Sequence, residues 1–134
     1  MDGRGSACNI RQMALTGTRV FVVEDEALVL LELQDMLTDR GLVVAASAMR
    51  IEEAVAKAGE VECDAAILDV NLAGKRIDPV ARTLADRNIP FVFVSGYDRS
   101  SLPVDFRERP LVAKPYGPRD LEAALAKCLA DKPA

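Results

Sequence analysis

A chain of 134 residues, half of them hydrophobic and with a net charge of −4, is one domain's worth of sequence, able to bury roughly two thirds of its unfolded surface around one core. Its longest apolar runs, such as Ala27 to Leu31, fall far short of the roughly 20 residues needed to cross a bilayer, and its acidic balance gives no support to nucleic acid binding, which relies on clustered Lys and Arg. The absence of histidine excludes imidazole as metal ligand, general base or phosphodonor within this chain.

The first 18 residues, "MDGRGSACNIRQMALTGT", lack the continuous apolar stretch of a secretory signal and read as a leader of uncertain structure ahead of one domain over residues 19–134. Cys8, Cys63 and Cys128 are odd in number and widely spaced, which suggests neither a disulfide framework nor a thiolate metal site. A cytoplasmic protein is expected, with no membrane or nucleic acid partner.

"RVFVVE" (Arg19 to Glu24) has the β-branched and aromatic run of a strand buried on both faces. Helical spacing follows at Val29, Leu30, Leu33, Met36 and Leu37, with Gly41 as the stop. Leu42 to Ala48 reads as a second strand, Ile51, Ala54, Val55 and Ala58 as one face of a second helix, and Asp64 to Asp69 as a third strand. Asp78 and Pro79 are expected as N-cap and N1 of a third helix facing inward through Val80, Ala81, Leu84 and Ala85. Pro90 to Gly96 is a fourth strand and Pro110 to Ala113 a fifth. Between them the aperiodic "YDRSSLPVDFRER" predicts a loop or a single helical turn. The chain closes in a helix from Pro118 with Leu121, Ala124, Leu125, Cys128 and Leu129 on one stripe. Repeated βα units imply an α/β fold with a parallel sheet and helices on both faces.

Open α/β sheets bind ligands outside the carboxyl ends of their strands. Those ends carry Glu24, Asp25 and Glu26, then Asp69, then Ser95 and Gly96, then Lys114. Clustered carboxylates repel, and a raised pKa or a cation relieves them. A hard divalent ion such as Mg²⁺ or Mn²⁺ suits Glu24, Asp25 and Asp69. Asp69 can then act as nucleophile toward phosphorus, while Lys114 and Ser95 contact the transferring phosphoryl group.

In this order, "VVEDE", "ILDVNL", "FVSGY" and "AKP" resemble the CheY-like receiver domain of bacterial two-component response regulators, over about Thr18 to Asp131. The resemblance implies a flavodoxin-like, doubly wound five-stranded sheet in the order 2-1-3-4-5. It implies that Asp69 is phosphorylated by a histidine kinase or histidine phosphotransfer protein. It also implies that Asp25 and Asp69 bind Mg²⁺ directly, that Glu24 acts through water, that Asn71 offers its backbone carbonyl, and that the bond from Lys114 to Pro115 is a cis turn. Such a chain is a phosphoprotein signalling switch or phosphorelay component. It catalyses its own phosphorylation and dephosphorylation, turns over no external substrate, and signals onward through a downstream protein target.

One departure is Leu111, where receivers commonly carry an aromatic switch residue; Tyr97 is the candidate substitute. "PFVFVSGYD", "DVNLAG" and "KPY" further resemble a single-domain subgroup named for a Phe-Ala-Thr-Gly-Tyr-like motif (FAT GUY), whose fourth helix is short or disordered. Haloacid-dehalogenase and Toprim sites need a DxD that Glu24-Asp25-Glu26 and Asp69-Val70-Asn71 do not supply, and three acids after strand one would repel a flavin phosphate. The alternatives are a pseudo-receiver adaptor that is not phosphorylated, and the receiver fragment of a longer regulator.

Overall fold

A computed structural model describes residues 15–96 and 99–130. The strands are β1 (Arg19–Val23), β2 (Val43–Ala48), β3 (Ala65–Asp69), β4 (Asn71–Leu72), β5 (Lys75–Arg76), β6 (Phe91–Ser95) and β7 (Leu111–Ala113). The helices are α1 (Ala27–Asp39), α2 (Ile51–Ala58), α3 (Asp78–Asp86) and α4 (Pro118–Ala130). The main sheet runs β2-β1-β3-β6-β7 with every pair parallel. Setting aside the β4–β5 hairpin, which forms a separate antiparallel pair, this is the expected order 2-1-3-4-5.

Both faces of the sheet are covered, so the central strands need no polar face: β3 and β6 are buried throughout. Phe21, Val23, Ala66, Leu68, Phe91 and Phe93 pack on one side with α2 and α3. Val20, Val22, Ala65, Ile67, Val92 and Val94 pack on the other with α1 and α4. Leu15 is buried in this second layer, and the Gly17 N–H donates to the Gly41 carbonyl at 2.7 Å. The last residues of the leader are thus fixed to the domain; residues 1–14, including Cys8, lie outside the described residues.

Helix α1 buries Leu30, Leu33 and Leu37, as the spacing predicts, and stops where Gly41 adopts φ +83°. Gly41 N–H reaches the Thr38 carbonyl and Leu42 N–H the Leu37 carbonyl, both at 3.0 Å, which satisfies the carbonyls the helix leaves open. Helix α4 starts from Gly117, whose N–H donates to Asp120 Oδ2 at 3.0 Å, with Pro118 as the first helical residue, where its missing N–H costs nothing.

Helix α3 corrects the expected cap. Ile77 is the N-cap residue, Asp78 already belongs to the helix, and Pro79 follows it. Ile77 is fully buried, and its carbonyl accepts from Val80 N–H at 3.0 Å and Ala81 N–H at 3.1 Å; burial of this apolar side chain, not a polar cap, sets the helix start. Asp78 instead accepts from Arg76 Nε at 3.1 Å. The β6–β7 connection holds two 3₁₀ turns, Arg99–Ser101 and Val104–Phe106, with Leu102 and Phe106 buried beneath it.

The α1 register supplies a contrast in stability. Leu33 is 0 % exposed and Leu31 is 56 % exposed. Leu33→Ala is expected to lower the unfolding free energy by about 2–5 kcal/mol, and Leu31→Ala by less than about 0.5 kcal/mol, as measured by urea denaturation.

Candidate functional site

Because all five main strands run the same way, the segments after β1, β3, β6 and β7 meet at one edge of the sheet. Asp25, Glu26, Asp69, Asn71, Ala73, Gly74, Ser95, Gly96 and Lys114 line one cleft of about 240 Å³ there. Of the residues singled out in the sequence, Asp25, Asp69, Asn71, Ser95, Gly96 and Lys114 share this cleft. Glu24 lies beneath it, fully buried. Pro115 follows Lys114 across a cis peptide. Tyr97 lies outside the described residues, and Leu111 packs partly buried against the α2/α3 layer.

Carboxylate oxygens of Glu24, Asp25 and Asp69 lie within 4.8 Å of one another. Lys114 reaches in from the edge strand, its Nζ 3.2 Å from Asp69 Oδ2 and 3.3 Å from Glu24 Oε1. Glu24 also accepts from the Glu26 N–H at 3.2 Å. Burial, then the neighbouring charge of Asp69, pushes the Glu24 carboxyl up to about 7. Burial works against the Lys114 ammonium, but the carboxylates of Asp69 and Glu24 outweigh it and hold its pKa above the ordinary lysine value. Tyr116 is pushed up to about 12 by its own burial and then by the charge of Glu24, so its phenol stays neutral. Three acids against one ammonium leave an oxygen-rich, electron-rich pocket, which fits a hard dication that takes carboxylate ligands and retains water.

The β4–β5 hairpin contributes donors that the sequence did not reveal. Asn71 N–H donates to Asp69 Oδ1 at 3.2 Å, Ala73 N–H to Asp25 Oδ2 at 2.9 Å, and Gly74 N–H to Asn71 Oδ1 at 3.0 Å. The available signal was the Ala73-Gly74 dipeptide between two-residue strands, which is weak, because alanine is a poor first residue for a two-residue hairpin turn.

Comparison with known proteins identifies the family of the fold that carries this cleft. Residues 20–126 match the family described as response regulator receiver domain. The phyllosphere-induced regulator PhyR of Methylorubrum extorquens is 30% identical over 119 residues, 84% of this chain and 43% of that protein; the chain therefore spans less than half the length of this relative. The solution structure of SdrG from Sphingomonas melonis is 38% identical with a TM-score of 0.75, covering 84% of this chain and 97% of that one. The receiver domain of PhyR from Erythrobacter litoralis is 26% identical with a TM-score of 0.77, covering 90% and 96%. This chain belongs to the response regulator receiver domain family.

Proposed function

We propose that this chain is a phosphorylation-dependent switch of a two-component system, in which Asp69 accepts a phosphoryl group from the phosphohistidine of a histidine kinase or a histidine phosphotransfer protein. The observation that carries the reading is the position of Lys114 Nζ, 3.2 Å from Asp69 Oδ2, beside carboxylate oxygens of Glu24, Asp25 and Asp69 that lie within 4.8 Å of one another. An Asp69 oxygen attacks phosphorus, the donor's N–P bond breaks, and its electrons return to the imidazole nitrogen, which takes up a proton. Hydrolysis of the acyl phosphate regenerates the Asp69 carboxylate and releases inorganic phosphate.

Glu24, Asp25, Asp69 and the Asn71 carbonyl are the groups that would hold Mg²⁺ or Mn²⁺. Such an ion supplies charge neutralisation to a transferring phosphoryl group. Lys114 contributes a fixed ammonium on the same group, and the Ser95 hydroxyl and Gly96 backbone N–H are its hydrogen-bond donors from the end of β6. Output runs through protein contacts in the cytoplasm. A relative from Bartonella quintana, described as the anti-anti-sigma factor PhyR, is 26% identical and matches 57% of its own chain; a protein target of the sigma-regulatory kind is the corresponding proposal for this chain.

Incubation with acetyl phosphate and Mg²⁺ followed by intact mass measurement is expected to show one added phosphoryl group on wild type and none on Asp69→Asn. Absence of the addition from wild type makes the unphosphorylated adaptor the better reading. Lys114→Ala is expected to retain the added group while losing most of the amide chemical-shift response around β6 and β7.

A pH signature accompanies the pocket. The Glu24 carboxyl is raised from its ordinary 4.5 to about 7 by burial, then by Asp69, so its contribution to stability is fully present below about pH 4.5 and is lost as pH rises through about 7. In chelator, the stability of wild type relative to Glu24→Gln is expected to fall across that window in thermal unfolding. Mg²⁺ is expected to recover the loss above pH 7, because a ligand bound only by the native state stabilises it.

A further inference from the structure

Ala73 stands where the backbone calls for glycine or asparagine. It has φ +53° and Gly74 has φ +82°, and the two join Leu72 to Lys75 in an antiparallel pair, the left-handed two-residue turn that strongly prefers asparagine, aspartate or glycine at its first position. Packing does not demand this. Ala73 and Gly74 are exposed, a Cβ at Gly74 would meet nothing within 4 Å, and the hairpin is already anchored by buried Leu72 and Ile77 on either side of the turn. What the turn achieves is the direction of one backbone N–H: that of Ala73 donates to Asp25 Oδ2 at 2.9 Å. Two residues earlier, Asn71 N–H donates to Asp69 Oδ1 at 3.2 Å. Gly74 N–H closes the turn on the Asn71 side chain at 3.0 Å. One short hairpin therefore holds an oxygen of each of two carboxylates that come from different strand ends.

We infer that the β4–β5 hairpin is a positioning element of the cation pocket, in which the amides of Asn71 and Ala73 fix Asp69 and Asp25 at the separation a divalent cation needs. A carboxylate has more acceptor positions than one amide occupies, so each acid keeps lone pairs for the ion while its orientation is set from outside. Backbone strain that no packing requires, beside a site, is the usual mark of such a role. The inference rests on the proposed dication site but not on phosphoryl transfer, and its test reads cation binding alone.

Calorimetric titration of the full chain with Mg²⁺ alone is the direct measurement. Ala73→Val places a branched Cβ at a positive φ and is expected to weaken Mg²⁺ binding about tenfold, the order found when partners of metal ligands are removed. Ala73→Gly keeps both the N–H and the angle and is expected to bind at least as tightly as wild type. Independently of any variant, the Ala73 amide proton is expected to exchange slowly in the metal-free protein, which its exposed turn would not otherwise allow. Wild-type affinity in Ala73→Val, equal weakening in Ala73→Val and Ala73→Gly, or unprotected exchange at Ala73 overturns the inference while leaving the dication site standing. Wild type that takes up no Mg²⁺ overturns both.

Discussion

The ammonium of Lys114 is the constraint around which the pocket is built. It leaves the edge strand β7 and reaches past β6 to Asp69 at the end of β3 and Glu24 at the end of β1, joining three segments far apart in sequence. Fully removing a carboxylate from water costs several kcal/mol unless it is paired and hydrogen-bonded, and Glu24 is 0 % exposed. Its carboxyl gains partial relief from Lys114 and from the Glu26 N–H, yet burial and Asp69 still dominate and raise its pKa. A second carboxylate beside a buried first one is not a stability device; it is tolerated because a parallel sheet delivers every strand end to the same edge, where a ligand can complete the charge balance.

That same topology explains what could be read from the sequence. Each strand of the main sheet is a short apolar run between turn residues, and in a sheet covered on both faces such runs need no alternation. Glu24, Asp69, Ser95 and Lys114 were recognisable because each sits where an apolar run ends, and once the βα alternation is accepted those positions must converge. What was not legible obeys local rules poorly. Ile77 takes a cap position usually held by a polar residue because its side chain is drawn into the α2/α3 layer. The Ala73-Gly74 turn carries an alanine where sequence statistics ask for asparagine or glycine, so no hairpin could be predicted. Conflicts between local preference and the observed backbone gather near functional positions, and here the conflict lies two hydrogen bonds from Asp69.

The β6–β7 connection was expected to lack a full helix, and the reason is visible in its composition. Its backbone is tied by short 3₁₀ bonds and by arginine rather than by a continuous helical ladder: Leu102 N–H reaches the Arg99 carbonyl at 3.1 Å and Phe106 N–H the Pro103 carbonyl at 2.9 Å, Arg99 Nη1 donates to the carbonyls of Arg107 and Arg109, both at 2.8 Å, and the Arg82 and Asp105 side chains pair at 3.2 Å. Arg109 lies over the Phe91 ring at 4.5 Å, and Phe91 meets Phe93 and Phe106 edge to face. Leu111, which lacks the ring common in this family, lies opposite Phe93 in the sheet. The arginine bonds are exposed and individually weak, whereas Leu102 and Phe106 are buried in the core, so apolar burial rather than the arginines holds these two turns on the sheet.

Charge counting orders the events at the pocket. Three carboxylates and one ammonium carry two negative charges when all are ionised, and a phosphodonor is itself an anion. Approach of one anion to another in a partly desolvated cleft is opposed more strongly than in water, because the effective dielectric there is far below that of bulk solvent. A dication held by these carboxylates would bring the count to zero, and in the proposed reaction Lys114 would then be left to attract the phosphoryl group. In the proposed reaction, conversion of the Asp69 carboxylate to an acyl phosphate would move negative charge outward from the β3 end toward Ser95, at the end of β6, and Lys114, which follows β7.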